Sequence, residues 1–413
     1  MKKNTNQLFI KWPFPAEISL WAFLFLLIGT GTVSCSDNSS SAETDDTSLV
    51  VETVTTGGDP SPSGYTVLVQ GAGTQEVEAN GSVRFSNLEE GSIQIELANI
   101  PGHCRVNGDL TKTEQLIEGE TTTVIFQIHC ETILRNQIVF LSNRDGTFGL
   151  YKMSTDGTET SRIGDFSVSD VWRPAVSPDG TKIAFVATAG SSASQVWIVN
   201  ADGTNWRNLT QNNSMHHEHP TWAPDGSQIA YHVYAPGEEG DIYVMNADGT
   251  GKRNITNSST GAWWPSWSPD GETIAFHTIG ASDIYISVIN ADGSGRRELL
   301  RDTSALFRNP SWSPDGSQIA FQSNLESEVS WEIMIANSDG SNIRPVTNLA
   351  RQGIQHRFPT WSSDGSRIAF DSNRDSGTDV YDIFTINTDG SEVTNITHNT
   401  NSVTIFPSWS PIE

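Results

Sequence analysis

Phe406-Pro407-Ser408-Trp409-Ser410-Pro411 opens a motif that occurs five times upstream, and this sixth copy breaks off after its first strand. The longer copies are Pro174–Phe185, Pro220–Tyr231, Pro265–Phe276, Pro310–Phe321 and Pro359–Phe370. They read approximately P-x-W-S-P-D-G-x-x-I-A-F. The missing part of the sixth unit lies far upstream. Ile138-Val139-Phe140-Leu141-Ser142 supplies a second strand, Leu150–Met153 a third and Arg162-Ile163 a fourth. A repeat divided between the two ends of a domain closes a ring.

The tryptophans Trp222, Trp267, Trp312, Trp361 and Trp409 recur every 45–50 residues. That is the period of propeller blades and is longer than that of ankyrin or tetratricopeptide arrays. Each unit carries four β signals: P-x-W-S, an apolar run such as Ile229-Ala230-Tyr231, a second run such as Ile242-Tyr243-Val244-Met245, and a short segment such as Asn254-Ile255-Thr256. Pro-Asp-Gly turns join the first two strands, as at Pro224-Asp225-Gly226. There Pro presets φ, Asp bonds back to the backbone and Gly takes positive φ. Asp-Gly pairs at 156, 202, 248, 292, 339 and 389 make six turns between strands three and four, hence six blades.

These repeats resemble TolB-type, WD-like β-propeller repeats over residues 136–413. The resemblance implies a six-bladed ring. It carries little about function, because the matching residues are turns and packing positions. TolB itself binds protein partners in the periplasm, and the resemblance implies a partner-binding propeller. The α/β domain that precedes the propeller in TolB has no recognisable counterpart here, so that protein's particular role is not carried over.

Residues 1–34 read as an export signal: Lys2, Lys3 and Lys11, then the short apolar core Leu20–Ile28. The core is short for a membrane span. Gly31-Thr32-Val33-Ser34-Cys35 resembles a bacterial lipobox, with Thr32 where Leu is commonest, and the resemblance implies lipidation of Cys35. The competing reading is an uncleaved anchor helix. Residues 35–46 are polar and acidic, a flexible tether with a root-mean-square reach of about 18 Å. Residues 47–133 alternate in β fashion between Gly-, Asn- and Ser-rich turns, which suggests a small β-sandwich. It resembles Ig-like or carboxypeptidase-regulatory-like modules. With Cys35 lipidated, Cys104 and Cys130 remain as an even pair in an exported protein. A bridge would close a loop of about 27 residues and contribute roughly 3–4 kcal/mol; two buried free thiols are the alternative. The expected fold class is all-β: a six-bladed β-propeller preceded by a small β-sandwich.

The net charge of −25 repels phosphate backbones, so nucleic acid is not an expected partner. The charge serves solubility, or else meets a basic partner or divalent cations. Propellers of this kind also precede α/β-hydrolase domains, but the sequence has no G-x-S-x-G elbow, and serine-hydrolase activity is not expected.

Trp172, Arg173, His219, Trp263, Trp264, Asn309, Phe358 and Phe406 stand just before the innermost strands and differ from copy to copy. They are expected to ring the channel mouth as a binding surface. His217 and His219, in His216-His217-Glu218-His219, would point the same way on an extended strand and could share a metal. Rim polar residues are the plainer reading. Asp371, Asn373, Asp375 and Asp379 place oxygen ligands at alternate positions, as in a calcium loop, although Ser376 stands where such a loop wants Gly. No cofactor is expected beyond a structural Ca²⁺ there. The sequence thus suggests a monomeric, lipid-anchored lipoprotein of the bacterial cell envelope, in the outer membrane and facing either periplasm or surface. It would be non-catalytic and bind envelope proteins or glycans. The alternative is a metal-dependent polysaccharide lyase or hydrolase built on His216–His219, of the kind in which related propellers act on oligogalacturonate.

Overall fold

The computed structural model describes residues 46–58, 64–164, 171–325, 330–348, 353–376, 380–398 and 402–411. The export signal, Cys35, the tether up to residue 45 and Asp379 lie outside them. Among the described residues the regular structure is strand, and no helix is long and apolar enough to cross a membrane.

Between Gln137 and Trp409 the strands form six antiparallel four-stranded sheets. The sheet His216–Trp222, Gln228–Tyr234, Asp241–Asn246, Arg253–Asn254 is representative. Its second strand carries Ile229-Ala230-Tyr231, and these residues and their five equivalents are at most 1% exposed. Neighbouring blades cover both faces of that strand, so it is apolar without alternation. Three of the repeat tryptophans, Trp222, Trp361 and Trp409, tie their blade to the one before it through an indole hydrogen bond. Trp222 Nε1 donates to the Ala175 carbonyl at 3.0 Å and Trp361 Nε1 to Ser311 at 3.0 Å.

The ring closes between the two ends of the propeller. The strand Thr404–Trp409 pairs antiparallel with Gln137–Ser142, setting Thr404 opposite Ser142 and Trp409 opposite Ile138. Outside the ladder, Ser410 N donates to Gln137 O at 2.9 Å and Asn136 N to Pro411 O at 3.2 Å. On the other side, Val176 N of the next blade donates to Ser408 Oγ at 3.1 Å.

The fourth strands differ from the sequence expectation. They are Arg207–Asn208, Arg253–Asn254 and Thr394–Asn395, two residues each, and the following Leu or Ile keeps one backbone bond to the third strand, as Ile255 N does to Ile242 O at 2.9 Å. A side chain supplies the reciprocal bond. Thr256 Oγ1 accepts from Ile242 N at 3.0 Å and donates to Asp241 Oδ1 at 2.6 Å. Thr397 does the same with Ile383 and Asp382. The Asn-Ile-Thr signal is thus a hydroxyl clasp at the end of a very short strand.

Residues 48–130 form two four-stranded sheets around a common core that includes Leu49, Tyr65, Ile95, Leu97 and Phe126. Thr121–Cys130 buries alternate residues, the signature of a sheet with one solvated face. It pairs in parallel with Ser48–Gly57 and antiparallel with Cys104–Val106. The disulfide Cys104–Cys130 joins directly opposed residues of that last pair, so it links neighbours within one sheet. The sandwich meets the propeller at Leu134, whose N–H donates to Gly180 O at 2.8 Å, and at Glu131, 3.3 Å from Lys182 Nζ. Gly180 has φ +70°, and a Cβ there would lie 2.5 Å from the Leu134 carbonyl oxygen.

Candidate functional site: the axial pocket

In all six blades the innermost strand slips register just before the repeat proline. The residue preceding that proline is Arg173, His219, Trp264, Asn309, Phe358 or Phe406, with φ of 56°, 55°, 54°, 53°, 54° and 57°. Left-handed backbone is uncommon for residues other than Gly, and the α region is disfavoured before Pro. Six equivalent outliers therefore mark a built feature. Each bulge turns one side chain out of the ladder, and the proline that follows has no N–H to leave unpaired. Together they blunt six inner strand edges around the axis.

The bulge side chains converge. The Arg173 guanidinium lies 4.6 Å from the Trp264 ring centroid, 5.1 Å from Phe358 and 4.4 Å from Phe406. Phe358 and Phe406 meet edge to face at 4.6 Å, and the His219 and Trp264 rings are 3.8 Å apart. With the six prolines they line a cavity of about 200 Å³. An adjoining cavity of about 360 Å³ shares Trp264, Asn309 and Phe358, and its further walls include Trp263, His277, Arg308, Trp331 and Arg357.

Six of the eight residues expected at the channel mouth therefore lie together in the axial pocket. The other two, Trp172 and Trp263, stand one position earlier and remain in the ladder, opposite Val186 and His277. Trp172 packs in the apolar cluster beside Val176 and Trp197. Trp263 packs tilted against His232, ring centroids 3.8 Å apart, and walls the second cavity. The same earlier position holds Arg308 and Arg357 in two other blades. Sequence reasoning missed both, because it took from that column only its tryptophans.

The charges of the site follow from burial. The Arg357 guanidinium holds the fully buried Asp371 through two contacts, 3.2 and 3.0 Å. Burial still pushes the Asp371 carboxyl up to about 6, against the pull of Arg357. Glu218 accepts from Ser194 Oγ at 2.9 Å and from the Tyr234 hydroxyl at 3.3 Å. Burial drives His219 and His232 well below 6.5 and His277 to about 3, so these rings are neutral at neutral pH. Burial lowers Arg173 to about 9, which leaves it a cation.

The residues expected to hold metals have other contacts among the described residues, and Asp379 lies outside them. The bulge at His219 breaks the strand alternation that would have put His217 and His219 on one face. His219 enters the axial pocket, whereas His217 lies against Tyr231 at 6.0 Å. Asp371 is committed to Arg357, Asn373 Oδ1 accepts from Gln355 N at 2.8 Å, and Asp375 accepts from Asn395 at 2.9 Å. The only trio of His, Cys, Asp or Glu ligand atoms within 4.8 Å of one another among the described residues is His103, Cys104 and Cys130. Its two sulfurs are bonded to each other.

Comparison with known proteins agrees with this architecture. Among solved structures, the chain is similar to a TolB from Acinetobacter baumannii, with 16% identity and TM-score 0.56 over 78% of this chain and 80% of that one. A TolB from Agrobacterium tumefaciens aligns with 19% identity and TM-score 0.52, over 67% and 94%. A Kuenenia stuttgartiensis hydrazine synthase aligns with 15% identity and TM-score 0.56, over 68% of this chain and 46% of that one. None of the curated proteins matches. The TolB beta propeller domain family matches residues 135–261 and 233–413. With that match over most of its length, the chain belongs to the TolB beta propeller domain family.

Proposed function

We propose that the protein is a non-catalytic binding scaffold of the bacterial cell envelope, whose axial pocket receives a segment of a partner protein. One observation carries this reading. Six blades with the same framework turn six side chains of five kinds, three of them Trp or Phe and one an arginine, through the same bulge into one pocket. A constant frame presenting a varied lining of Trp, Phe and Arg has the composition of a recognition centre. The lyase alternative is less favoured, since His219 lines the axial pocket while His217 lies against Tyr231. The sequence supports the rest of the reading: Cys35 would carry the lipid, and the sandwich would act as a spacer between membrane and disc.

Capture from envelope extract tests it, with the wild-type protein against a Trp264→Ala, Phe358→Ala double variant. Loss of a saturable, stoichiometric partner in the variant, with Tm within a few degrees of wild type, is the expected result. A partner held equally well by both proteins would refute the pocket.

A further inference from the structure

The axial pocket holds more hydrogen-bond donors than it can satisfy. Arg173 Nε is buried without a partner, and among the described residues no hydrogen bond or ion pair reaches its guanidinium. Glu218 and Asp371 act on it electrostatically, but both are in contact with other donors. Trp264 Nε1, which can only donate, is also buried and unpartnered. Both ring nitrogens of His219, 5% exposed, make no hydrogen bond, the nearest carboxylate oxygen, Glu218 Oε2, standing 3.8 Å from Nδ1, and a neutral imidazole carries one N–H. Asn309 makes one contact, to Gln322 at 2.7 Å, so whichever way that amide pair is turned, one polar atom of Asn309 is left over. Next door, Arg308 lies over the Trp331 ring at 4.8 Å, and its Nε is likewise buried and unpartnered.

Unpaired buried donors are costly, and a cation held only by rings still lacks an acceptor. Their complement is a group that only accepts. An ionised carboxylate is such a group, and its two oxygens match the fork of an arginine. The walls beside Arg173 are Phe358, Phe406 and prolines, which suit an apolar side chain. The cavity, about 200 Å³, is smaller than the roughly 300–1,000 Å³ typical of pockets for whole small molecules. It admits one residue of a longer molecule.

The geometry points to a carboxylate of a partner peptide as the group bound in the axial pocket, held by Arg173 with Trp264 and His219 as further donors. This inference rests on the scaffold reading and specifies what that scaffold grips. The carboxylate belongs either to the chain terminus of the partner or to an acidic side chain.

Three probes separate these cases in full-length protein held in detergent: N-acetylphenylalanine, its C-terminal amide, and N-acetylglutamate α-methylamide. The indole N–H resonance of Trp264, identified through Trp264→Phe, reports occupancy. A free terminal carboxylate predicts saturable shifts with N-acetylphenylalanine, and an acidic side chain predicts them with the glutamate derivative. In either case the amide binds at least tenfold more weakly. Arg173→Gln should weaken the carboxylate at least tenfold, and Arg173→Lys should fall between. Equal binding of acid and amide, or no saturable carboxylate binding at tens of millimolar, overturns the inference. That comparison uses the unaltered protein and does not depend on a variant folding. If a captured partner is lost with Trp264→Ala, Phe358→Ala but retained with Arg173→Gln, the scaffold stands and the carboxylate fails. If it is retained by both, the scaffold reading itself fails.

Discussion

The indole of Trp409 donates to the Thr360 carbonyl at 3.2 Å, while the backbone of Trp409 pairs with Ile138. One residue near the end of the described chain thus ties the sixth blade to the first strand of the propeller. Removing residues 406–413 strips the innermost strand from one blade and opens two inter-blade faces. The truncated protein should lose cooperative unfolding. Trp409→Ala removes the ring and its hydrogen bond, a loss of about 2–4 kcal/mol, or roughly 5–10 °C in Tm. Calorimetry decides the matter, and an unchanged Tm in the truncated protein would mean that the closure contributes nothing.

The Arg357–Asp371 pair joins the inner strand of one blade to its neighbour at a site where Asp371 is fully buried. Removing one partner leaves the other charge uncompensated. Asp371→Ala should cost about 3 kcal/mol, toward the lower end for buried pairs because the Arg357 side chain is 25% exposed. The Asp371→Ala, Arg357→Ala double variant should be more stable than the sum of the single losses implies. Urea denaturation of the four proteins measures this coupling. Additive losses would show that the contact does not stabilise the fold.

The scaffold was legible because its signals are redundant. Trp222, Trp267, Trp312, Trp361 and Trp409 repeat a packing role, and six Asp-Gly turns repeat a hairpin. The pocket was legible through the opposite property, variation at one column of the repeat. What sequence reading could not supply was the left-handed turn at that column. Period-two alternation put His217 and His219 on one face, and a single φ of 55° at His219 separated them. Asn254-Ile255-Thr256 read as a strand, yet the Thr256 hydroxyl makes the bonds that a longer ladder would have made. Arg308 and Arg357 escaped notice because their column was read for its tryptophans, and the partners that give these arginines a role, Trp331 and Asp371, appear only once the strands are in place.

The Cys104–Cys130 bridge ties Cys104–Val106 to the long strand Thr121–Cys130. Its contribution, about 3–4 kcal/mol, resides chiefly in restricting the unfolded chain. Reduction, or Cys104→Ala with Cys130→Ala, should therefore lower the unfolding temperature of the sandwich and leave the propeller transition in place. Scanning calorimetry with and without reductant separates the two. If both transitions moved together, the sandwich and propeller would have to unfold as one unit.

Acid should destabilise the propeller well above the pH at which its surface carboxylates titrate. Burial pulls His217 down to about 4 and His277 and His356 to about 3, with His219 and His232 well below 6.5. Unfolded histidines titrate near 6.5, so below that pH the unfolded chain binds more protons, and stability falls until the folded values are reached. At about 1.4 kcal/mol per unit, His277 alone removes about 3 kcal/mol by pH 4. Asp371 works the other way. Its folded value near 6 exceeds the ordinary 3.8, so it takes up a proton first in the native state and adds stability as pH falls from 6 toward 4. Five histidines outweigh one carboxyl, and the Tm should drop between pH 6.5 and 4. His277→Gln should flatten that drop. Asp371→Asn should steepen it by removing the opposing gain, whatever it does to the Tm at pH 7. Melting curves at pH 7, 5.5 and 4.5 test the signs, and a wild-type Tm constant across that range would contradict the neutral, buried state of these rings.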